Sequence, residues 1–217
     1  MAPRLAPTQL IKRDTRVAVI LNAHAKRVNS RVRASFARLV PSEDLFFSRS
    51  LEEAATIAQT IIERRYGTVM LGGGDGTIAM TLDLLLKAAE QLAPAGAAHA
   101  LPAVAVLRLG TGNGLGHLSG AGKPLEDAMR LLSEEVAPSQ PLRILKDAVT
   151  GAVTPFGSMG YDAQVLNDHV DVVQQTRTRI GRSLAKSLGG YFYALGTRTL
   201  LAELRAQPSS ITLTARG

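Results

Sequence analysis

The chain has 217 residues, of which 46% are hydrophobic and 20% are charged, and its formal net charge is +7. This composition excludes an intrinsically disordered chain, and a chain of this length buries enough surface to fold without disulfides or metals. Cysteine is absent, which excludes a disulfide scaffold, a Cys-ligated zinc site and a thiol nucleophile.

The apolar segments are too short or too interrupted to cross a membrane. The longest Ala-rich stretch, residues 91–107, is broken by Pro94 and Pro102, whereas a transmembrane helix needs about 20 predominantly apolar residues. The first residues also lack the apolar region of a secretory signal. We therefore predict a cytoplasmic protein.

Strand and helix patterns alternate through the first two thirds of the chain. Short apolar runs predict strands at residues 16–21, 44–47, 68–71 and 102–107. Helical spacing of apolar residues predicts helices at 28–39, 51–66, 77–92 and 124–132. Ser50 and Glu53 form a capping-box pattern at the start of the second helix. This alternation predicts an α/β fold with a parallel, Rossmann-like sheet.

The pattern changes near residue 140. Residues 142–150 and 154–165 are predicted strands on either side of Gly151, followed by a helical stretch at 183–204 and a strand at 210–214. We therefore predict two domains, an α/β domain over residues 1–140 and an incomplete, mainly-β domain over residues 141–217.

A glycine cluster with one acidic residue follows the predicted strand 68–71. It comprises Gly72, Gly73, Gly74, Asp75, Gly76 and Thr77. Glycines here let backbone N–H groups approach a ligand, and the next helix N-terminus favours phosphate. A carboxylate beside phosphates needs Mg²⁺ as a counter-charge, or takes a proton from an attacking hydroxyl. The alternative is a tight turn in which Asp75 caps a helix.

Two further loops follow predicted strands. Gly110, Thr111 and Asn113 lie in a second glycine-rich segment, which predicts a second contact with the same nucleotide or, alternatively, a flexible glycine loop. Asn22 ends the first predicted strand and is followed by Lys26 and Arg27. These cations are predicted either to reach phosphates or to be merely solvated.

Several other patterns carry no function. The segment Gly120 to Lys123 lacks the first Gly and the final Ser or Thr of a phosphate-binding P-loop, and neither glycine loop completes the dinucleotide-binding fingerprint. The four histidines have no metal-ligand spacing, and no Gly-x-Ser-x-Gly element indicates a serine hydrolase.

The order of these motifs resembles the diacylglycerol kinase catalytic-domain family, which includes bacterial lipid kinases, sphingosine kinases and ceramide kinases. The resemblance rests on Gly73 to Thr77 after a strand, on Leu109 to Asn113 about 30 residues later, on Asn22, and on Gly157 to Ala163. It implies ATP-dependent phosphorylation of a lipid hydroxyl by a phosphotransferase, with the nucleotide between an α/β domain and a β-sandwich domain.

The resemblance also implies roles for single residues. Gly73 to Thr77 would hold phosphates, and Thr111 and Asn113 would contact the nucleotide. Ser48 occupies the place of a nucleotide-contacting hydroxyl residue. Asp75 would organise Mg²⁺ or help to activate the acceptor hydroxyl, so that ATP and Mg²⁺ are the expected substrate and cofactor.

The chain departs from the family pattern at two points. Gly114 stands where the family has Asp, and the sequence stops before the family's Asp-Gly-Glu element. We therefore expect either a truncated lipid kinase or a catalytically inactive nucleotide-binding or regulatory module. The Gly-Gly-Asp-Gly-Thr element is also shared with NAD kinases, which leaves a small-molecule kinase as a further alternative.

Basic residues cluster within residues 12–38 and 177–186. Aromatic residues make up 4% of the chain and Trp is absent, which disfavours the stacking platforms of single-stranded nucleic-acid binders. Because a lipid kinase must visit a bilayer, and cations bind its anionic headgroups, the clusters predict peripheral contact with an anionic membrane surface. The alternative is a charge that serves only to keep the protein in solution.

Overall fold

The computed structural model describes residues 9–12, 16–93, 101–111, 113–133, 136–157, 161–176, 178, 181 and 188–200. The predicted strand 210–214, the loop 94–100, much of the predicted helix 183–204 and four basic residues between 177 and 186 lie outside the described residues. The chain divides into two compact units, Met1–Phe156 and Gly157–Gly217.

The first unit contains a four-stranded parallel sheet and two short antiparallel pairs. Its strands are β1 (Gln9–Lys12), β2 (Val17–Asn22), β3 (Leu45–Ser48), β4 (Thr68–Gly73), β5 (Ala103–Arg108), β6 (Val136–Ser139), β7 (Leu145–Lys146) and β8 (Val153–Thr154). The parallel sheet has the order β3-β2-β4-β5, whereas β1 pairs with β6 and β7 with β8. The predicted α/β class with a parallel sheet is confirmed.

Helices connect the parallel strands. They are α1 (Ser30–Leu39), α2 (Leu51–Glu63), α3 (Asp75–Leu92), α4 (Gly114–Leu118) and α5 (Pro124–Ser133). A single 3₁₀ turn, Ser42–Asp44, precedes β3. The order β2-α1-β3 and β4-α3-β5 gives the crossover connections that parallel strands require.

The core has two layers, one on each face of the sheet. Ala18 and Ile20 of β2 pack with α2 and α3 on one face. Val19 and Leu21 of the same strand pack with Phe36 of α1 and with α5 on the other. Successive side chains of a strand point to opposite faces. A strand covered by helices on both faces is therefore apolar throughout, as the sequence of β2 is.

The ends of α2 show one agreement with the sequence and one difference. The Ser50 hydroxyl accepts a hydrogen bond from Glu53 N, as a capping box requires, while the Glu53 carboxylate accepts from Arg49 N. The helix ends at Glu63, earlier than the glycine expected to end it. Arg65, at φ 53°, provides the left-handed turn that reverses the chain.

The hairpin β7–β8 belongs to the first unit and is joined to α3. Asp83 on α3 accepts a hydrogen bond from Val153 N at 3.0 Å. The hairpin gives an antiparallel pair after residue 140, but each strand has only two residues, and residues 148–150 of the predicted strand 142–150 form its turn. The mainly-β character of the region 141–217 otherwise stays a prediction.

The described part of the second unit is helical. It contains α6 (Tyr161–Gln175), α7 (Leu188–Ala194) and a π-helical turn, Leu195–Thr199. The predicted strand 154–165 is therefore wrong from residue 161 onward. The inner face of α6 carries Asp168 beside buried Val165, and Asp168 accepts a hydrogen bond from the buried Thr199 hydroxyl at 2.6 Å. Tyr161, Ala163 and Val165 alternate with polar residues, and this two-residue period is typical of a strand although the segment is helical.

Candidate functional site

The candidate site lies at the edge of the sheet where the four parallel strands end. Strand register places Asn22 beside Ser48, and Gly73 beside Arg108. The loops that follow β2, β3, β4 and β5 therefore leave the sheet at one edge. Ligands of open parallel sheets bind beyond this carboxyl edge.

The loop between β4 and α3 is a single residue, Gly74. Its backbone is extended, at φ −92° and ψ 175°, and no side chain caps the helix. The first hydrogen bond of α3 runs from Ile78 N to the Gly74 carbonyl. The N–H groups of Asp75, Gly76 and Thr77 therefore precede the helical ladder. These donors and the dipole of an 18-residue helix favour an anion at this point.

The glycines of this edge serve two different purposes. A Cβ atom on Gly72 would lie 2.4 Å from Leu21 Cδ2, and one on Gly110 would lie 2.2 Å from Gly74 Cα. Both glycines are therefore required by packing, and the two glycine loops touch through their backbones. A Cβ atom on Gly76 would meet nothing within 4 Å. Packing within the described residues leaves open space at Gly76, on the first turn of α3.

The second glycine loop is closed by its own Asn113. This residue is in the left-handed region, at φ 58°, and only 2% of its surface is exposed. Its Oδ1 atom accepts from Gly110 N, and its Nδ2 atom donates to the Gly110 carbonyl, both at 2.9 Å. Asn113 thus shapes the loop from inside, whereas Thr111 is exposed and accessible to a ligand.

Asp75 joins the second loop to the first. One carboxylate oxygen accepts from Gly114 N at 3.0 Å and the other from Leu115 N at 2.9 Å. Although Asp75 is the first residue of α3, its side chain caps the start of α4. The alternative in which Asp75 caps the helix of its own turn is therefore wrong, because Gly74 is the N-cap of α3 and no side chain caps that helix.

Asn22 makes the corresponding link on the other side of α3. Its Nδ2 atom donates to the Thr77 hydroxyl at 2.8 Å, and its Oδ1 atom accepts from His24 N at 2.8 Å. Because the Thr77 oxygen accepts this bond, its own proton is available to a ligand. The His24 ring lies 2.8 Å, Nε2 to oxygen, from the Arg49 carbonyl in the loop after β3.

These bonds connect all four loops across the edge of the sheet. His24 links the β3 and β2 loops, Asn22 links the β2 loop to α3, and Asp75 links α3 to the loop after β5. Sequence reasoning singled out Asn22 and Asp75 but missed His24, whose position two residues after an Asn is typical of an Asx turn. Ser48, at 6% exposure, is mostly buried, and its carbonyl accepts from Ala23 N.

The last residue of β5 was not predicted to belong to the site. Arg108 donates to the Ala121 carbonyl, contacts the His117 ring at 3.0 Å, and packs on Gly116, where a Cβ atom would lie 2.6 Å from Arg108 Cγ. Its buried Nε atom has no hydrogen-bond partner within the described part of the chain. Arg108 therefore packs against the short helix α4 and the residues that follow it, and holds them against β5.

Comparison with protein families decides what kind of domain carries this site. Residues 16–143, more than half of the chain, match the family model of the diacylglycerol kinase catalytic domain. The chain belongs to this family. All the residues predicted to form the site lie inside the matched range, and the resemblance in the sequence to this kinase family is thereby confirmed.

Solved structures of diacylglycerol kinases give a weaker likeness. Two chains from Bacillus anthracis described as diacylglycerol kinases are 18% and 19% identical to this one, with TM-scores of 0.41 and 0.40. Each match covers 54% of this chain and 41% of the other. No curated protein matches the chain.

Proposed function

We propose that this diacylglycerol kinase catalytic domain binds ATP and belongs to a lipid kinase, which transfers the γ-phosphate of ATP to a lipid hydroxyl. The family supports a kinase, and the observation that carries the proposal is the uncapped N-terminus of α3, which lies between two glycine loops in backbone contact.

The phosphates of ATP would lie on the first turn of α3. The N–H groups of Asp75, Gly76 and Thr77 are donors without helical acceptors, and the Thr77 hydroxyl adds a fourth. Open space over Gly76 lets a phosphate approach the backbone closely. Lys26 and Arg27 are exposed in the loop after β2 at the same edge, and their positive charge would attract the anionic nucleotide towards the site without direct contact.

The second glycine loop would contact the rest of the nucleotide. Thr111 is the exposed polar side chain of that loop, so we assign it the direct contact. Asn113 is buried and bonded to Gly110, so we assign it the task of holding the loop in shape. Ser48, at the end of the neighbouring strand β3, would contact the nucleotide through its hydroxyl group. Its carbonyl accepts a hydrogen bond from the backbone of the loop after β2.

The transfer needs the acceptor hydroxyl in line with the bond that breaks. The hydroxyl oxygen attacks the γ-phosphorus, the bond from that phosphorus to the bridging oxygen of ADP breaks, and the hydroxyl proton leaves to a base. Positioning and stabilisation of phosphate charge supply most of the catalysis in such reactions. The backbone N–H donors at the start of α3 are fixed in place, so they would both position the transferred phosphate and stabilise its negative charge.

Mg²⁺ normally accompanies ATP in phosphoryl transfer. A Mg²⁺ ion that accompanies nucleotide phosphates needs only one or two protein carboxylates, and the acidic residue on the first turn of α3 is Asp75. The carboxylate of Asp75 accepts backbone hydrogen bonds at both oxygens. We therefore assign no step to a metal ion.

The proposal is tested by a substitution that adds a methyl group where phosphate should lie. In Gly76→Ala the new Cβ meets no protein atom within 4 Å, and Ala is the better helix former by up to about 1 kcal/mol. We expect unchanged or higher thermal stability and ATP binding weaker by at least about tenfold, or 1.4 kcal/mol. Calorimetric titration of the 217-residue chain with ATP, and thermal unfolding, measure the two effects.

Gly196→Ala is the matched control. Gly196 lies in the π-helical turn of the second unit, and a Cβ atom there also meets nothing within 4 Å. This variant should bind ATP like the wild type. Equal ATP binding by Gly76→Ala and wild type, or no ATP binding by wild type at millimolar concentration, would contradict the proposal. Phosphorylation of diacylglycerol in detergent micelles then tests the transfer itself.

A second candidate is a nucleotide-binding module without catalysis. It is favoured by Gly114, which stands where the family resemblance expects an acidic residue. This candidate predicts the same loss of ATP binding in Gly76→Ala. It differs in that the wild type would bind ATP but would neither phosphorylate a lipid nor hydrolyse ATP.

A further inference from the structure

Asp75 has an arrangement that differs from that of a free metal ligand or base. Its two carboxylate oxygens accept from the two successive N–H groups of Gly114 and Leu115, at 3.0 and 2.9 Å. Hydrogen bonds to an ionised carboxylate are about twice as strong as neutral ones. The charge of Asp75 is therefore matched by donors of the protein backbone.

The bond spans a long stretch of chain. Gly114 and Leu115 lie 39 and 40 residues after Asp75, and they form the first turn of α4. Asp75 itself starts α3, where the phosphates are proposed to lie. One side chain thus fixes the second glycine loop relative to the phosphate-binding turn.

Residue 114 decides whether Asp75 faces a second carboxylate. A Cβ atom on Gly114 would lie 3.7 Å from Oδ1 and 3.8 Å from Oδ2 of Asp75. An acidic side chain at this position would form a like-charge pair with Asp75, which a bound cation would have to neutralise. With glycine at this position, Asp75 has no acidic neighbour at 114.

We infer that Asp75 is a positioning residue, which holds the second glycine loop against the first so that both contact one nucleotide, and that it does not hold Mg²⁺. This inference rests on the proposed function. It replaces the metal or base role that the family resemblance implies for Asp75. Loss of the carboxylate should weaken the binding of ATP whether or not Mg²⁺ is present.

The first test compares Asp75→Asn with Asp83→Asn. Asp83 also lies on α3 and also accepts from a backbone N–H, that of Val153, but outside the nucleotide loops. The ATP dissociation constant of each full-length variant is measured in EDTA and in excess Mg²⁺. We expect Asp75→Asn to weaken binding by the same factor, about tenfold, in both media, and Asp83→Asn to bind ATP like the wild type.

Amide hydrogen exchange tests the link without any nucleotide. In the wild type, the amides of Gly114 and Leu115 should be protected by the Asp75 carboxylate. Asp75→Asn should expose both, while Asp83→Asn should leave them protected. If the wild type failed to bind ATP, the proposed function would fall, whereas protection lost only in Asp75→Asn would still support the link.

Direct titration with Mg²⁺ separates the two roles of the carboxylate. Without nucleotide, we expect Gly114→Asp to gain Mg²⁺ binding through the new carboxylate pair, and wild type and the uncharged control Gly114→Asn to show none at millimolar concentration. Two results would overturn the inference: Mg²⁺ binding by the wild type that Asp75→Asn abolishes, or an effect of Asp75→Asn on ATP binding confined to the Mg²⁺ medium.

Discussion

At the scale of single residues, Asn113 carries two requirements at once. Its backbone is left-handed, at φ 58° and ψ 39°, a region that Asn and Gly enter more readily than other residues. Its buried side chain also pairs with both polar groups of the Gly110 backbone. Substitution can separate these two requirements.

We expect Asn113→Gly and Asn113→Ala to differ in stability. Both lose the bonds to Gly110, which should cost about 1–3 kcal/mol because buried backbone groups are left without partners. Ala also bears the left-handed strain and should be less stable than Gly by roughly a further 1 kcal/mol. Urea unfolding measures both differences. An Ala variant as stable as the Gly variant would show that the backbone conformation imposes no cost.

The sequence indicates which residues belong to the candidate site better than it indicates what each of them contacts. Glycines after a strand indicate close approach of the backbone, and Gly72 and Gly110 are indeed required by packing. The role of Asn113 could not be predicted, because a polar residue in a glycine loop looks the same whether it faces a ligand or its own backbone. The bond from Asp75 to Leu115 spans 40 residues and depends on the register between β4 and β5.

At the scale of elements, the hairpin β7–β8 has a turn that depends on one carboxylate. Asp147 accepts from Thr150 N at 2.6 Å and from Val149 N at 2.8 Å. These hydrogen bonds, with that of Thr150 first, hold the pKa of Asp147 below its ordinary value of 3.8. Gly151, at φ 71°, completes the reversal.

The hairpin turn should therefore loosen in acid. Because the pKa of Asp147 is lower in the folded chain, its stabilising contribution is complete above the unfolded value and is lost as the pH falls through the folded one. We expect the amide signals of Val149 and Thr150 to titrate in NMR spectra with a midpoint below 3.8. The titration should vanish in Asp147→Asn, and a midpoint at or above 3.8 would contradict it.

Elements with a local signature were predicted, and those that depend on distant partners were not. The strands β2 and β4 are apolar runs because helices cover both of their faces, so composition alone indicates them. The pairing of β1 with β6 joins residues more than 120 positions apart, such as Lys12 with Val136. No local pattern contains that information.

At the scale of the whole molecule, part of the +7 charge gathers at one edge. Lys26, Arg27 and Arg31 are exposed and take part in none of the ion pairs seen among the described residues. The first turn of α1 contains no acidic residue, although a helix N-terminus favours negative charge. No helix in the described part of the chain is long and apolar enough to cross a membrane.

We propose that these three cations bind an anionic bilayer surface beside the nucleotide site. Each Lys or Arg near such a surface contributes roughly 1 kcal/mol, so replacing all three by Gln should weaken binding to anionic vesicles about a hundredfold. Binding of the wild type should fall steeply as salt is raised, since the screening length is about 10 Å at 0.1 M. Sedimentation with vesicles of anionic or neutral phospholipid measures both effects.

The control variant replaces Arg38, Arg64 and Arg65 by Gln, which lowers the net charge by the same amount. These exposed residues lie at the ends of α1 and α2, which run back to the opposite edge of the sheet. If position matters, this variant should keep most of its affinity for anionic vesicles. Equal losses in the two triple variants would mean that net charge alone drives binding, and equal binding of wild type to neutral vesicles would exclude an electrostatic role.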